Sequence, residues 1–152
     1  MSPPTEVPLE DFLAGLFAGL VFKEKTRVRG GPGVLDEALY WTVRDLEKMR
    51  KRQRVHFPFR IARKALAAPG GSLASALERL QGRGLIRLPS TPTGDIDILM
   101  NANAAQDVLR DAPAMIDMAN WAATCFLRRH ATARVHPLRR GARPPAAGAA
   151  DA

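Results

Sequence analysis

Residues 59 to 100, FRIARKALAAPGGSLASALERLQGRGLIRLPSTPTGDIDILM, decide the fold of this 152-residue chain. A first helix, predicted over 58–68, ends at the tripeptide PGG of 69–71, because proline cannot continue a helix and glycine accepts a positive φ at little cost. Ser72 is a good N-cap for a second helix, in which leucine and alanine recur at helical spacing and which the glycines of QGRG end. The stretch therefore predicts two short helices joined by a tight turn.

The apolar period changes from helix to strand after the second helix. Apolar and polar residues alternate on both sides of the turn PSTPTGD, whose residue types favour bends. Folded about Pro92, the two strands place Ile86 opposite Ile98 on the core side. The same register places Arg87 opposite Asp97 on the solvent side, which is a favourable cross-strand pair. The sequence therefore predicts a two-stranded antiparallel hairpin.

The segment SLASALERLQGRGLIRL, residues 72–88, resembles the recognition helix and first wing strand of bacterial winged-helix regulators, with ERLQGRGLI in place of their common LxxxGLI ending. The resemblance covers residues 58–100. It implies a fold that is mainly α with a small β-hairpin, namely a winged helix-turn-helix core with flanking N- and C-terminal helices. The layout is similar to that of MarR- and PadR-like regulators, which place terminal helices at the dimer interface. Other winged helices are protein-interaction modules, so the fold alone does not decide the function.

Length and composition indicate one domain with unstructured ends. The proline-rich start predicts a disordered N-terminus over 1–8, and the absence of an apolar period predicts a disordered tail over 137–152. Between them we expect a single winged-helix domain over 9–136, with flanking helices at 9–22 and 112–135 and the helix-turn-helix plus wing at 58–100.

The flanking helix LEDFLAGLFAGLVF is apolar on nearly every side, which predicts burial against several neighbours. Gly15 and Gly19 lie about one turn apart and would permit the close approach of another helix. The helix lies either at a homodimer interface with the C-terminal helix or in the core of its own chain, and a membrane-surface helix is a third alternative. The residues predicted for a dimer interface are Phe12, Leu16, Leu20, Met115, Met118, Ala122 and Phe126.

Three further segments connect or flank these elements. KEKTRVR, residues 23–29, is polar and basic and fits either a linker or a short edge strand. The glycines and proline of 30–33 break the chain, and a long helix is then predicted over 34–54. Residues 101–110 predict a short helix or a turn.

The formal net charge of +8 favours a polyanionic partner, nucleic acid before membrane. Between Lys48 and Lys64 there are eight basic residues and no acidic one, although the bases at the end of the long helix also complement its dipole. The residues predicted to hold phosphates are Lys48, Lys51, Arg52, Arg54, Arg60, Arg63 and Lys64. Those predicted to approach the major groove are Ser72, Ser75, Arg79 and Arg83.

Catalytic and metal-binding patterns are not found in the sequence. It contains no Gly-rich phosphate loop and no dinucleotide fingerprint. Cys125, His130 and His136 are spaced so that they do not converge on one face of a helix, which argues against a metal site. A nucleophilic pair of Cys125 and His130 would lack a third group to orient the histidine. We therefore expect neither an enzyme nor a cofactor.

The single cysteine excludes an internal disulfide, the acidic start is unlike a secretory signal, and the apolar run 12–22 is too short to cross a bilayer. These features predict a cytoplasmic protein without a membrane partner.

The expected function of the protein is that of a homodimeric transcriptional regulator bound to double-stranded DNA. The alternative is an interaction subunit of a larger nucleic-acid-associated assembly, acting in chromosome organisation, replication or phage defence. The wing tip, which has no lysine or arginine, favours this alternative.

Overall fold

The computed structural model of the protein describes residues 5–48, 55–59, 72–91 and 93–135. Within these ranges the chain is mainly helical, with two small sheets. The elements in chain order are β1 (Thr5–Glu6), α1 (Leu9–Phe22), β2 (Arg27–Val28), α2 (Gly31–Glu47), β3 (Val55–His56), α3 (Ser72–Gly82), β4 (Ile86–Arg87), β5 (Ile96–Ile98), α4 (Ala102–Asp111), a 3-10 turn (Pro113–Met115) and α5 (Ala119–Val135).

Helix α1 lies at the centre of the core. It contacts α3, α4 and α5, and these neighbours together account for its apolar residues on nearly every side. The Phe12 ring packs against Phe57 and Phe59, with ring centroids 5.4 and 5.6 Å apart. Of the alternatives for this helix, burial within its own chain is the one that the structure shows.

The residues predicted for a dimer interface form part of this core. Phe12, Leu16, Leu20, Met115, Met118, Ala122 and Phe126 are all buried within the chain, each with at most 1% of its surface exposed. A side chain enclosed by its own chain offers no surface to a second copy, so the expected dimer interface on these residues is corrected to an intrachain core.

The two glycines of α1 allow the C-terminal part of the chain to approach closely. A β-carbon added to Gly15 would lie 2.8 Å from the β-carbon of Met115. One added to Gly19 would lie 2.5 Å from the backbone oxygen of Ala119, at the start of α5. The expected close approach of another helix at these two glycines is confirmed. The approaching segment is α5 together with the 3-10 turn that precedes it.

The predicted hairpin is confirmed with its register. Strands β4 and β5 are antiparallel, and Ile86 pairs with Ile98 while Arg87 pairs with Asp97. Strand β2 pairs antiparallel with the other edge of β5, which makes a three-stranded sheet in the order β2–β5–β4. The segment KEKTRVR therefore contains an edge strand, which was one of its two expected structures.

A second pairing was not expected. Strands β1 and β3 are parallel, with Thr5 opposite Val55 and Glu6 opposite His56. The prediction of a disordered N-terminus over 1–8 is therefore wrong for residues 5–8. The physical reason is that β3 satisfies the backbone groups of β1, while the side chain of Val7 is buried in the core.

Helix α3 spans Ser72–Gly82, and its end at Gly82 is as predicted. Its first residue is also the first of its described range, so Ser72 as the N-cap stays a prediction. Gly84 follows with φ of 78°, and its N–H donates to the carbonyl of Gln81 while the Leu85 N–H donates to that of Leu80. This is the Schellman arrangement, which requires a left-handed residue that glycine supplies without strain. Within the predicted first helix over 58–68, Pro58 and Phe59 are not helical, and 60–68 and the turn 69–71 lie outside the described residues.

Two helix boundaries differ from their predictions. Helix α2 begins at Gly31 rather than at residue 34, because Gly30 adopts a φ of 94° before the helix and Pro32 fits its first turn. It ends at Glu47, and 49–54 lie outside the described residues. The helix predicted over 112–135 is instead a 3-10 turn followed by α5, whereas 102–111 is an α-helix that the Asn101 side chain caps.

A bidentate ion pair joins α2 to α5. The Arg129 Nε and Nη2 atoms each donate to a carboxylate oxygen of Asp45 at 2.8 Å, and the guanidinium lies 5.2 Å from the ring centroid of Trp41. The hydrogen bonds from Arg129 hold the pKa of Asp45 below its usual value. The Asp45 side chain is only 13% exposed, so this pair is better shielded from solvent than a surface pair.

Replacing Asp45 with asparagine is expected to lower the free energy of unfolding at pH 7 by about 1.5 kcal/mol, because a charged hydrogen-bonded pair is lost. Since the pKa of Asp45 is lowered on folding, its contribution is present above the usual carboxyl pKa and is lost as the pH falls through the lowered value. Urea unfolding at several pH values measures both effects. Asp107→Asn, which breaks an exposed pair with Arg110, is the matched control and should cost less than about 0.5 kcal/mol. An equal loss in both variants would contradict the role of the Asp45 pair.

No helix within the described residues is both long and apolar enough to cross a bilayer.

Candidate nucleic-acid interface

Helix α3 packs one face on the core and leaves the other uncovered. Ala76, Leu77 and Leu80 are buried. On the opposite side Ala74, Glu78, Gln81 and Gly82 are exposed, so the rest of the described chain does not cover this face. A helix that is fixed by its apolar side and open on the other can enter a groove without rearrangement of the fold.

The two arginines of this region lie at the edge of α3 beside α1. The Arg79 Nε donates to Glu10 Oε1 at 2.7 Å, and the Arg83 Nη1 donates to Glu10 Oε2 at 2.9 Å. The hydrogen bond from Arg79, with that from Arg83, keeps the pKa of Glu10 below its usual value, so the acid is ionised near neutral pH. The side chains remain 55% and 39% exposed and keep further N–H donors.

Gln81 connects α3 to the hairpin. Its side-chain oxygen accepts a hydrogen bond of 2.7 Å from the backbone N–H of Leu88, at the end of β4. The Leu85 N–H also donates to the carbonyl of Leu80 in α3. The hydrogen bonds at Leu85 and Leu88 therefore attach the first strand of the hairpin to α3 at two points. The sequence predicted Gln81 on the outer side of α3 without this structural bond.

Of the other residues predicted to bind DNA, three lie within the described ranges and six lie outside them. Lys48 is exposed just after α2, and Ser75 is half-buried on α3. Ser72 begins α3. Lys51, Arg52, Arg54, Arg60, Arg63 and Lys64 lie outside the described residues, so their role in binding phosphate stays a prediction.

The outer face of the three-stranded sheet carries a cluster of two arginines around one aspartate. Arg27 on β2 and Arg87 on β4 both bind Asp97 on β5, the first through Nε at 3.1 Å and the second through Nη2 at 2.9 Å. The Arg87–Asp97 pair was predicted and is confirmed. Arg27 and the exposed Arg29 were missed as neighbours of this pair, although the alternation in TRVR could have indicated that both face solvent.

The tip of the hairpin is acidic rather than basic. Asp95 Oδ1 accepts a hydrogen bond of 3.3 Å from the Gly30 N–H, and Asp95 Oδ2 lies 4.0 Å from Arg27. No lysine or arginine occurs in the turn PSTPTGD. The hairpin tip is therefore held against the start of α2 and carries no cation for a phosphate.

In the described ranges, no three histidine, cysteine, aspartate or glutamate side chains are placed to hold a metal ion. Cys125 is buried, and burial raises the pKa of its thiol, so it is a poor nucleophile. His130 Nε2 donates to the Arg29 carbonyl at 2.7 Å, and its ring stacks on Phe126, which gives this histidine a structural role.

No known protein family, curated protein or solved structure matches the chain.

Proposed function

We propose that the protein is a winged-helix protein that binds double-stranded DNA and acts as a transcriptional regulator. The observation that supports this best is the order of elements around α3. The hairpin β4–β5 follows α3 directly, and the earlier strand β2 joins it in the order β2–β5–β4. In the winged-helix arrangement, the helix before the hairpin is the one presented to the major groove.

The charge of the molecule supports the same partner. The net charge of +8 attracts a polyanion, and the exposed outer face of α3 is bordered on its α1 side by Arg79 and Arg83. We infer that these two arginines contact phosphates while the outer face of α3 lies in the groove. The basic run 48–64 supplies further cations. A homodimer stays a prediction, and its interface would have to avoid the seven buried residues named above.

A second candidate function rests on a different surface. Ile116 and Trp121, which lie just before and within α5, are 53% and 46% exposed, so their apolar side chains are available to a protein partner. Together with the acidic hairpin tip, they favour a protein-interaction subunit of a nucleic-acid-associated assembly. Size measurement of the purified protein separates the two, since such a subunit should be poorly soluble without its partner whereas the regulator should be a well-behaved DNA-binding species.

The Glu10 carboxylate gives a test of the proposed contact surface. Glu10→Gln removes the negative charge that competes with phosphates for Arg79 and Arg83, so duplex DNA should bind about three- to tenfold more tightly. Asp107→Asn, which removes one negative charge from an exposed pair on α4, is the matched control and should change the affinity less than twofold in fluorescence anisotropy titrations. Equal affinities of the Glu10 variant and the wild type would place the DNA elsewhere on the protein. Failure of the wild type to bind duplex at low salt would overturn the proposed function itself.

A further inference from the structure

Two arginines bind one carboxylate on the outer face of the β2–β5–β4 sheet, and a third arginine, Arg29, lines the same recess. Arg27, Arg29, Arg87 and Asp97, with Thr26 and Ile98, line an open recess of about 420 Å³. Three positive charges and one negative charge line the recess, and Asp95, whose carboxylate lies 4.0 Å from Arg27 beside it, reduces the local net charge to +1. A recess with this excess of positive charge attracts an anion.

The carboxylate fixes two of the arginines without using all of their donors. Asp97 accepts from Arg27 through Oδ1 and from Arg87 through Oδ2, so one side chain spans all three strands. Each guanidinium carries five N–H donors, and the Arg27 and Arg87 side chains are still 56% and 66% exposed. Their remaining donors are thus held in place before any ligand arrives, which lowers the entropy cost of binding.

Arg29 differs from these two residues. It is exposed at the edge of the recess, and within the described ranges no acidic side chain forms an ion pair with it. Its backbone is held by the hydrogen bond from His130 Nε2 to its carbonyl. The backbone position is therefore fixed while the guanidinium is available to a ligand.

We propose that this recess binds a phosphate group through Arg27, Arg29 and Arg87, with the Thr26 hydroxyl as a further hydrogen-bond donor. Phosphate offers several strong acceptor oxygens, and forked guanidinium donors match its geometry. The phosphate belongs either to a nucleic-acid backbone or to a small phosphate compound, since an open recess admits both. The site shares no residue with the contact surface proposed around α3, so it does not depend on that surface.

The test uses the full chain and inorganic pyrophosphate as the probe. Pyrophosphate should bind the wild type saturably and shift the backbone amide signals of residues 26–29, 87 and 97 in nuclear magnetic resonance spectra. Arg29→Glu should weaken this binding at least about tenfold, because it reverses the charge that has no acidic partner. Arg110→Glu, which reverses an exposed arginine on α4, is the matched control and should bind as the wild type does.

A duplex-binding arm separates the two sources of phosphate. Duplex binding that is weakened about tenfold by Arg29→Glu and less than threefold by Arg110→Glu assigns the site to a nucleic-acid backbone. Unchanged duplex binding with lost pyrophosphate binding assigns it to a small phosphate compound. Absence of saturable pyrophosphate binding, or wild-type binding by Arg29→Glu, overturns the site and leaves the α3 surface untouched. Pyrophosphate binding by a wild type that binds no duplex overturns only the proposed DNA-binding function.

Discussion

Replacing Gly19 with alanine is expected to lower the free energy of unfolding by about 3 kcal/mol, because the added methyl group overpacks the core. Its β-carbon would lie 2.5 Å from the backbone oxygen of Ala119 and 3.2 Å from the β-carbon of Ala123. The obstacle is backbone of α5 rather than the end of a flexible side chain, so α1 and α5 must move apart. Urea unfolding followed by circular dichroism measures the loss.

Gly82→Ala is the matched control for this substitution. Gly82 ends α3, and a β-carbon there would meet nothing within 4 Å. Because alanine also restricts the unfolded chain, the control should be neutral or more stable by up to about 1 kcal/mol. Stability of Gly19→Ala equal to that of the control would mean that α1 and α5 do not approach as closely as described.

Reversing the charge of Arg79 is expected to weaken duplex binding about tenfold or more and to reduce the salt dependence by about one phosphate contact. Arg79→Glu removes a guanidinium that we place on a phosphate, and it sets a second carboxylate beside Glu10. Anisotropy titrations at several salt concentrations measure both changes.

Arg110→Glu controls for the change in net charge. Like Arg79, Arg110 is an exposed helical arginine that pairs with one acid, here Asp107 at 2.7 Å. Its reversal should lower the affinity less than threefold, because long-range charge effects are screened at physiological salt. If the two variants lose affinity equally, the edge of α3 beside α1 is not a contact surface. Thermal unfolding of both variants verifies that each is folded.

The parts of the fold that short-range patterns determine could be predicted from the sequence. The helical character of α3 and its end follow from its apolar spacing and terminal glycines, and both signals lie within 72–84. The register of β4 and β5 follows from the alternation of apolar residues on the two sides of one turn. Both predictions depend only on residues close together in the chain.

The parts that depend on distant contacts could not be predicted. Glu10 meets Arg79 across 69 positions, and Arg27 meets Asp97 across 70, so no local pattern indicates either contact. The apolar character of α1 predicted burial but could not distinguish a partner copy from α5 of the same chain. For the candidate site, the sequence predicted which residues of α3 face outward. It did not predict the hydrogen bonds from Arg79 and Arg83 to Glu10, which only the structure shows.

The parallel pairing of β1 with β3 illustrates the same limit. A two-residue strand carries no periodic signal, and prolines at 3 and 4 favoured an unstructured start. Only the partner strand, about 50 residues away, makes this segment extended and ordered.

The most direct test of duplex binding is the salt dependence of the affinity of the wild-type chain. For a duplex of roughly 20 base pairs, the logarithm of the association constant should fall linearly with the logarithm of salt concentration. Each neutralised phosphate contributes about −0.9 to the slope, so the contacts inferred for Arg79 and Arg83 alone give about −1.8, and any contact from the basic run 48–64 makes it steeper. A slope of at least this size, reduced by about one in Arg79→Glu, is the result that we predict. An affinity that does not change with salt, or no binding at low salt, would contradict the account.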